Sequence, residues 1–242
     1  MRKGLALFVG TVMAGAALIL AHAWTGGAPV QPVSLNLLAF WVVLSLAAEC
    51  FWLETPTGKG MVSTALAINL AMLFVLPRPY VLAIGALTVG ASDLLVHQRK
   101  PLKASFNAAQ TTIALAVCFE VARLLGMPVV HTNMDSLLHH PGATLAVPVT
   151  FFVINTFVVA GAISLDTRRT FWSTWKANYG FGYQVLSCGV LFLLGLTFVE
   201  AYDRLGVHRR VVLPRILLLR TRLLSSLCER ATRAFLVDLT TT

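Results

Sequence analysis

Residues 104–125 read ASFNAAQTTIALAVCFEVARLL, an apolar run with an amide pair, Asn107 and Gln110, near its start. A run of this length reaches across a bilayer as a helix. Amides at the mouth of such a helix are costly unless they find partners, so the pair marks a buried polar seam. A basic turn precedes it, His97-Gln98-Arg99-Lys100-Pro101-Leu102-Lys103.

Similar runs recur outward in both directions, at about residues 4–23, 34–53, 61–76, 80–96, 143–165 and 181–201. They are continuous rather than alternating, which is the pattern of helices and not of barrel strands. The chain is 57% hydrophobic and only 12% charged, about half the charged share of a soluble domain. The expectation is an all-α, polytopic membrane bundle of about seven helices (six to eight), placed in the inner (plasma) membrane. The third and fourth runs are short and flank Pro77-Arg78-Pro79, which predicts a tight helical hairpin.

Two regions follow from the pattern. Residues 1–206 form the transmembrane helical domain; residues 207–242 form a basic tail in which leucines alternate with arginines at helical spacing. The tail reads as an amphipathic helix or a marginal last crossing, with the lipid bilayer as its partner. Ala21-His22-Ala23 resembles a signal-peptidase site after Arg2-Lys3. A retained first helix is the preferred reading, because the run is long enough to span and more spans follow.

The net charge of +9 does not point to nucleic acid. The basic residues cluster between and after apolar runs, as the positive-inside rule places them, and no nucleic-acid recognition motif accompanies them. The loops holding Arg99 to Lys103 and Arg168 to Lys176 are thus expected to be cytoplasmic. Seven spans would then leave the arginine-rich tail outside. One resolution is an eighth crossing at about residues 205–219, where Arg209, Arg210 and Arg215 cost roughly 2.5–3.5 kcal/mol each at a helix centre. The other merges the third and fourth runs or removes a span elsewhere. The crowding of arginines favours a cytoplasmic tail.

Polar residues inside apolar runs are the candidate site. Glu49, Asn69, Asp93, Asn107, Gln110 and Asn155 form the expected seam, for ligand binding or for helix packing. Each has a plainer use. Glu49 can snorkel or pair with Lys59. Asp93 lies one turn from His97 and close to Arg99, which favours a local ion pair. Asn107 and Gln110 share a helix face, and amides commonly join membrane helices at about 0.6 kcal/mol each. Glu120 and Arg123, at i and i+3, can neutralise one another. Gln184 sits in the last run, and Glu200 and Asp203 near its end.

Nothing in the motifs supports catalysis: there is no nucleophile elbow, HExxH, P-loop or GxGxxG. The four cysteines, Cys50, Cys118, Cys188 and Cys228, are widely spaced and read as packing residues. His131, Asp135, His139 and His140 match no structural zinc spacing and read as a solvated loop. No metal or cofactor is expected.

Several pieces occur in a telling order. Ala47-Ala48-Glu49 is followed by Leu53-Glu54-Thr55-Pro56-Thr57-Gly58 and Val62-Ser63. Then come Phe106-Asn107-Ala108-Ala109-Gln110, Phe152-Val153-Ile154-Asn155-Thr156, the stretch 172–183, and Leu205-Gly206 with Leu213-Pro214. This order resembles the bacterial membrane input domains that precede HD-GYP phosphodiesterase or diguanylate cyclase domains, over about residues 38–219. The resemblance implies a cytoplasmic tail that hands a signal to an output partner. The chain departs from the pattern in a very basic last segment and in lacking the output domain, so phosphodiesterase activity is not carried over.

The leading expectation is a non-enzymatic sensor that takes a small-molecule ligand or membrane signal and relays it to a cytoplasmic output protein through the basic tail. The alternatives are a substrate-capturing transporter component and a membrane scaffold. The sequence leaves a homo-oligomer open.

Overall fold

The computed structural model describes residues 3–26, 32–50, 52–54, 61–128, 134–179 and 181–205. Those residues are all-α apart from one small hairpin. In chain order they form α1 (Lys3–Thr25), α2 (Leu35–Cys50), β1 (Trp52–Glu54), β2 (Met61–Ser63), α3 (Ala65–Val75) and α4 (Arg78–Leu95). There follow α5 (Pro101–Leu124), α6 (Met134–His139), α7 (Pro141–Thr167), α8 (Phe171–Asn178) and α9 (Phe181–Leu205). The turn at Pro56, Gly58, Lys59 and Gly60, His131, Cys228, the basic tail and residues 206–219 of the marginal crossing lie outside the described residues, as does the side chain of Gln184.

Prolines start three of the helices: Pro79, Pro101 and Pro141 occupy the first turns of α4, α5 and α7. There the missing N–H costs nothing and the fixed φ suits the helix. Pro101 also holds Lys100 extended, at ψ 140°. Arg168 ends α7 in the left-handed region, at φ 58°.

The hairpin corrects the sequence reading, which runs the second helix to residue 53 and starts the third at 61. Instead Trp52 pairs with Ser63, Leu53 with Val62 and Glu54 with Met61, antiparallel. Short apolar stretches on either side of a Pro-Gly turn suit strands as well as helices, and periodicity alone does not separate the two. As a result α3 is only 11 residues, or about 17 Å long. Every residue of it except Leu66 is buried.

The tight α3–α4 hairpin is a second correction. Leu76 and Pro77 are extended, with ψ of 151° and 143°. This joint swings the chain away, so α3 packs chiefly on α9 while α4 packs chiefly on α5 and α2. The stretches expected as loops also hold two short helices, α6 and α8.

Among the described residues two helices, α1 and α7, are long and apolar enough to cross a membrane by length and composition. At 16 residues α2 is apolar but shorter.

Contacts sort the bundle into two ends. At one end His97 Nε2 donates to the Glu49 carbonyl at 3.3 Å, so α2 and α4 finish together. At the other, Arg78 at the start of α4 meets Glu120 near the end of α5, and Trp24 of α1 stacks edge-on against Tyr80 at 5.3 Å. Near the end of α9, Tyr202 stacks on Trp41 in the first half of α2, at 5.9 Å. Thus α9 runs towards the Arg78 end, away from the His97–Arg99 turn. With α3 and α4 as separate helices, merging them is no longer a way to bring the tail to the basic end.

Candidate functional site

The polar seam is built along α5. The turn before it is fixed by backbone bonds: His97 N–H donates to Ser92 O at 3.0 Å and Arg99 N–H to Asp93 O at 2.8 Å. Gln98 supplies the reversal at φ 48°, a region that non-glycine residues seldom enter. This folds Arg99 back over Asp93. Its guanidinium Nη1 lies 3.0 Å from Asp93 Oδ1 and 3.3 Å from Oδ2. Asp93 is 2% exposed, and a carboxylate so buried requires partners. The second comes from α5, where Asn107 Nδ2 donates to Asp93 Oδ2 at 2.5 Å.

One turn further along α5, Gln110 faces a different neighbour. Its Nε2 donates to the Asn155 carbonyl of α7 at 3.2 Å and to Asn155 Oδ1. Asn107 and Gln110 therefore share a stripe, as their spacing predicts, but divide between α4 and α7. Gln110 is buried, and its Oε1 has no hydrogen-bond partner among the described residues.

Asn69 stands apart in α3. Its Oδ1 is also buried without a partner among the described residues. It faces Gly85 of α4, where an added Cβ would lie 3.9 Å from Asn69 Oδ1, 3.7 Å from Thr111 Cγ2 and 2.7 Å from Leu115 Cδ1. Glu49 is buried at the end of α2 and joins the seam through its carbonyl bond to His97. The structure thus brings Glu49, Asp93 and Asn107 to the His97–Arg99 turn, pairs Gln110 with Asn155 one turn further along α5, and leaves Asn69 in a third polar spot.

Two partnerships are not expected from sequence. Glu120 binds Arg123 Nε at 2.8 Å, as i,i+3 spacing predicts, but also Arg78 Nη1 of α4 at 2.6 Å. So α4 and α5 are held at one end by Asp93 and at the other by Glu120. The only signal for Arg78 was a cation set between two prolines at a helix start. The other is Trp175 of α8, whose Nε1 donates to Thr156 Oγ1 at 3.1 Å, next to Asn155.

Phe157, one residue on, sits edge-to-face with Phe171, Trp172 and Trp175, at 5.3, 5.9 and 5.7 Å. The aromatics of α8 recur at helical spacing, and that pattern could have revealed the contact. Burial pushes the neighbouring Tyr179 phenol up to about 12, so it stays neutral.

Elsewhere, Glu200 pairs with Arg204 on α9, and His139 Nδ1 lies 2.7 Å from the Asp135 carbonyl, a local contact within α6. Among the described residues no three His, Cys, Asp or Glu side chains gather as a metal site. Cys118 is buried, and its Sγ donates to the Val147 carbonyl at 3.4 Å. What the arrangement can do is hold three helices in register through a few desolvated polar contacts, each breakable by a change in helix position.

No family model, curated protein or solved structure matches this chain.

Proposed function

We propose that this chain is a non-enzymatic, multi-pass membrane sensor or input module that relays a ligand or membrane signal to an output partner. One observation carries the reading. Asp93–Asn107 ties α5 to α4, Gln110–Asn155 ties it to α7, and the residue beside Asn155 holds α8. Polar contacts of this kind between apolar helices are the sort of element that has two packings. A ligand that favours one packing shifts the equilibrium by its differential affinity for the two. The order of motifs that resembles input domains ahead of HD-GYP or cyclase domains supports the same reading.

In this reading the His97–Arg99 and Arg168–Lys176 turns face the cytoplasm, as the positive-inside rule places them. Because α9 runs to the opposite end, a cytoplasmic tail needs one more crossing after residue 205. Paired topology reporters at Met134 and Thr242 test this, with Met134 expected outside and Thr242 inside. An external Thr242 refutes the relay. The seam is tested by fusing a diguanylate cyclase reporter after Thr242 and comparing wild type with the N107L/N155L double variant. Equal cyclase output and equal membrane insertion in the two proteins would remove the seam as the switch.

A second reading, a substrate-capturing transporter component, is favoured by two buried amide oxygens without partners among the described residues, Asn69 Oδ1 and Gln110 Oε1. Uptake of labelled solute by cells expressing the chain separates it from the first.

A further inference from the structure

The reach of α7 sets up a surface at the basic end. Its 27 residues make a helix of about 40 Å, some 10 Å longer than a hydrocarbon core of about 30 Å. On the membrane reading its polar, exposed end at Asp166 and Thr167 takes up this surplus at the level of the lipid headgroups. There Arg168, in the left-handed conformation, turns the chain back and α8 returns along α7. One face of α8 is spent on this contact: Trp175 is buried and bonded to Thr156, and Phe171 and Trp172 meet the Phe157 ring.

The other face is open. Trp172 stands at its border, in ring contact with Phe157 yet 59% exposed, and Lys176 follows it at i+4. Arg168 and Arg169 are exposed in the turn just before the helix. An exposed indole beside three cations, with Asp166 the sole acid from 166 to 178, is complementary to one kind of partner. It suits a surface that is apolar below and anionic above.

We propose that the face formed by Arg168, Arg169, Trp172 and Lys176 docks the headgroups of anionic phospholipids, with the indole at the glycerol level and the cations on phosphates. This rests on the membrane reading above and adds the partner. It also supplies a physical route from lipid to seam, because Trp175 on the back of α8 bonds the neighbour of Asn155.

Native mass spectrometry of the detergent-solubilised full chain, with equimolar phosphatidylglycerol and phosphatidylcholine, tests it. The wild type should retain phosphatidylglycerol preferentially. R168Q/R169Q/K176Q should lose that preference by roughly fivefold per charge removed. R168K/R169K, which keeps the charge, should retain it, and W172A should weaken it at unchanged charge. K100Q/K103Q, which lowers charge at the other basic turn, should have a smaller effect. Undiminished selectivity in the glutamine variant, or an equal loss in K100Q/K103Q, overturns the proposal.

Alkaline carbonate extraction of membranes separates the two levels. Protein in the supernatant defeats the membrane reading and this proposal with it. Protein in the pellet without lipid selectivity defeats the docking surface alone.

Discussion

Gly195 of α9 offers the sharpest test of the packing. A Cβ placed there would lie 2.9 Å from the Ala67 carbonyl oxygen and 3.6 Å from its carbonyl carbon. The obstacle is the backbone of α3, itself enclosed on nearly every side, so relief must come from moving a helix. Overpacking of this kind costs about 1–3 kcal/mol. Alanine recovers at most about 1 kcal/mol of helix propensity, so Gly195→Ala should destabilise by about 1–2 kcal/mol. Gly85→Ala is the contrast. Its nearest obstacle, at 2.7 Å, is the Cδ1 methyl of Leu115, the end of a flexible side chain. The net change there should be within about 1 kcal/mol of zero. Gly189 meets nothing within 4 Å, so its alanine variant is the control. Thermal unfolding in detergent of a C50S/C188S/C228S background, followed by a thiol-reactive dye, reads all three, because the remaining Cys118 is buried and reacts only when the bundle opens. If Gly195→Ala melts as high as Gly85→Ala, the close approach of α9 to α3 is wrong.

Other contacts make smaller but ordered predictions. Asp93→Ala should cost about 1–3 kcal/mol, since Asn107 loses its acceptor and the part-exposed Arg99 its carboxylate; the same melting assay checks it. Glu120→Gln should cost about 1 kcal/mol or less, because its pairs with Arg78 and Arg123 are more than a third exposed on the Glu120 side. A reversed ranking of these two would mean that the load-sharing between the ends of the α4–α5 pair is misread. Trp175→Phe removes the bond to Thr156 but keeps the ring packing, and should cost about 0.6 kcal/mol. Faster proteolysis between α7 and α8 in that variant is the expected sign.

Much of the helix content was legible because apolar runs and helix-starting prolines are local signals. Pro101 and Pro141 lie within the first turns of α5 and α7, close to the predicted starts. The i,i+3 pair Glu120–Arg123 and the neighbours Asp93 and Arg99 were also readable, since each contact is set by short spacing. The hairpin was not. Met61 and Val62 continue an apolar run that serves a strand or a helix equally well, and pairing across a turn is decided by tertiary context. Arg78 with Glu120 joins residues far apart in the chain, and nothing local announces it. For Asn107 and Gln110 the spacing gave the shared stripe, but which helix lies on either side of that stripe is a matter of topology.

The brevity of α3 has a consequence for how the protein is made. It emerges from the ribosome well before α9, the helix it packs against most closely. If the chain is membrane-inserted as proposed, α3 at about 17 Å is too short to be a settled lipid-facing span in the interval. Its buried Asn69 would meanwhile face hydrocarbon or a chaperoning channel wall. On the membrane reading proposed above, the middle of the bundle therefore stays open until translation reaches α9, and a ribosome stalled before residue 181 would hold an intermediate that quality-control proteases can recognise.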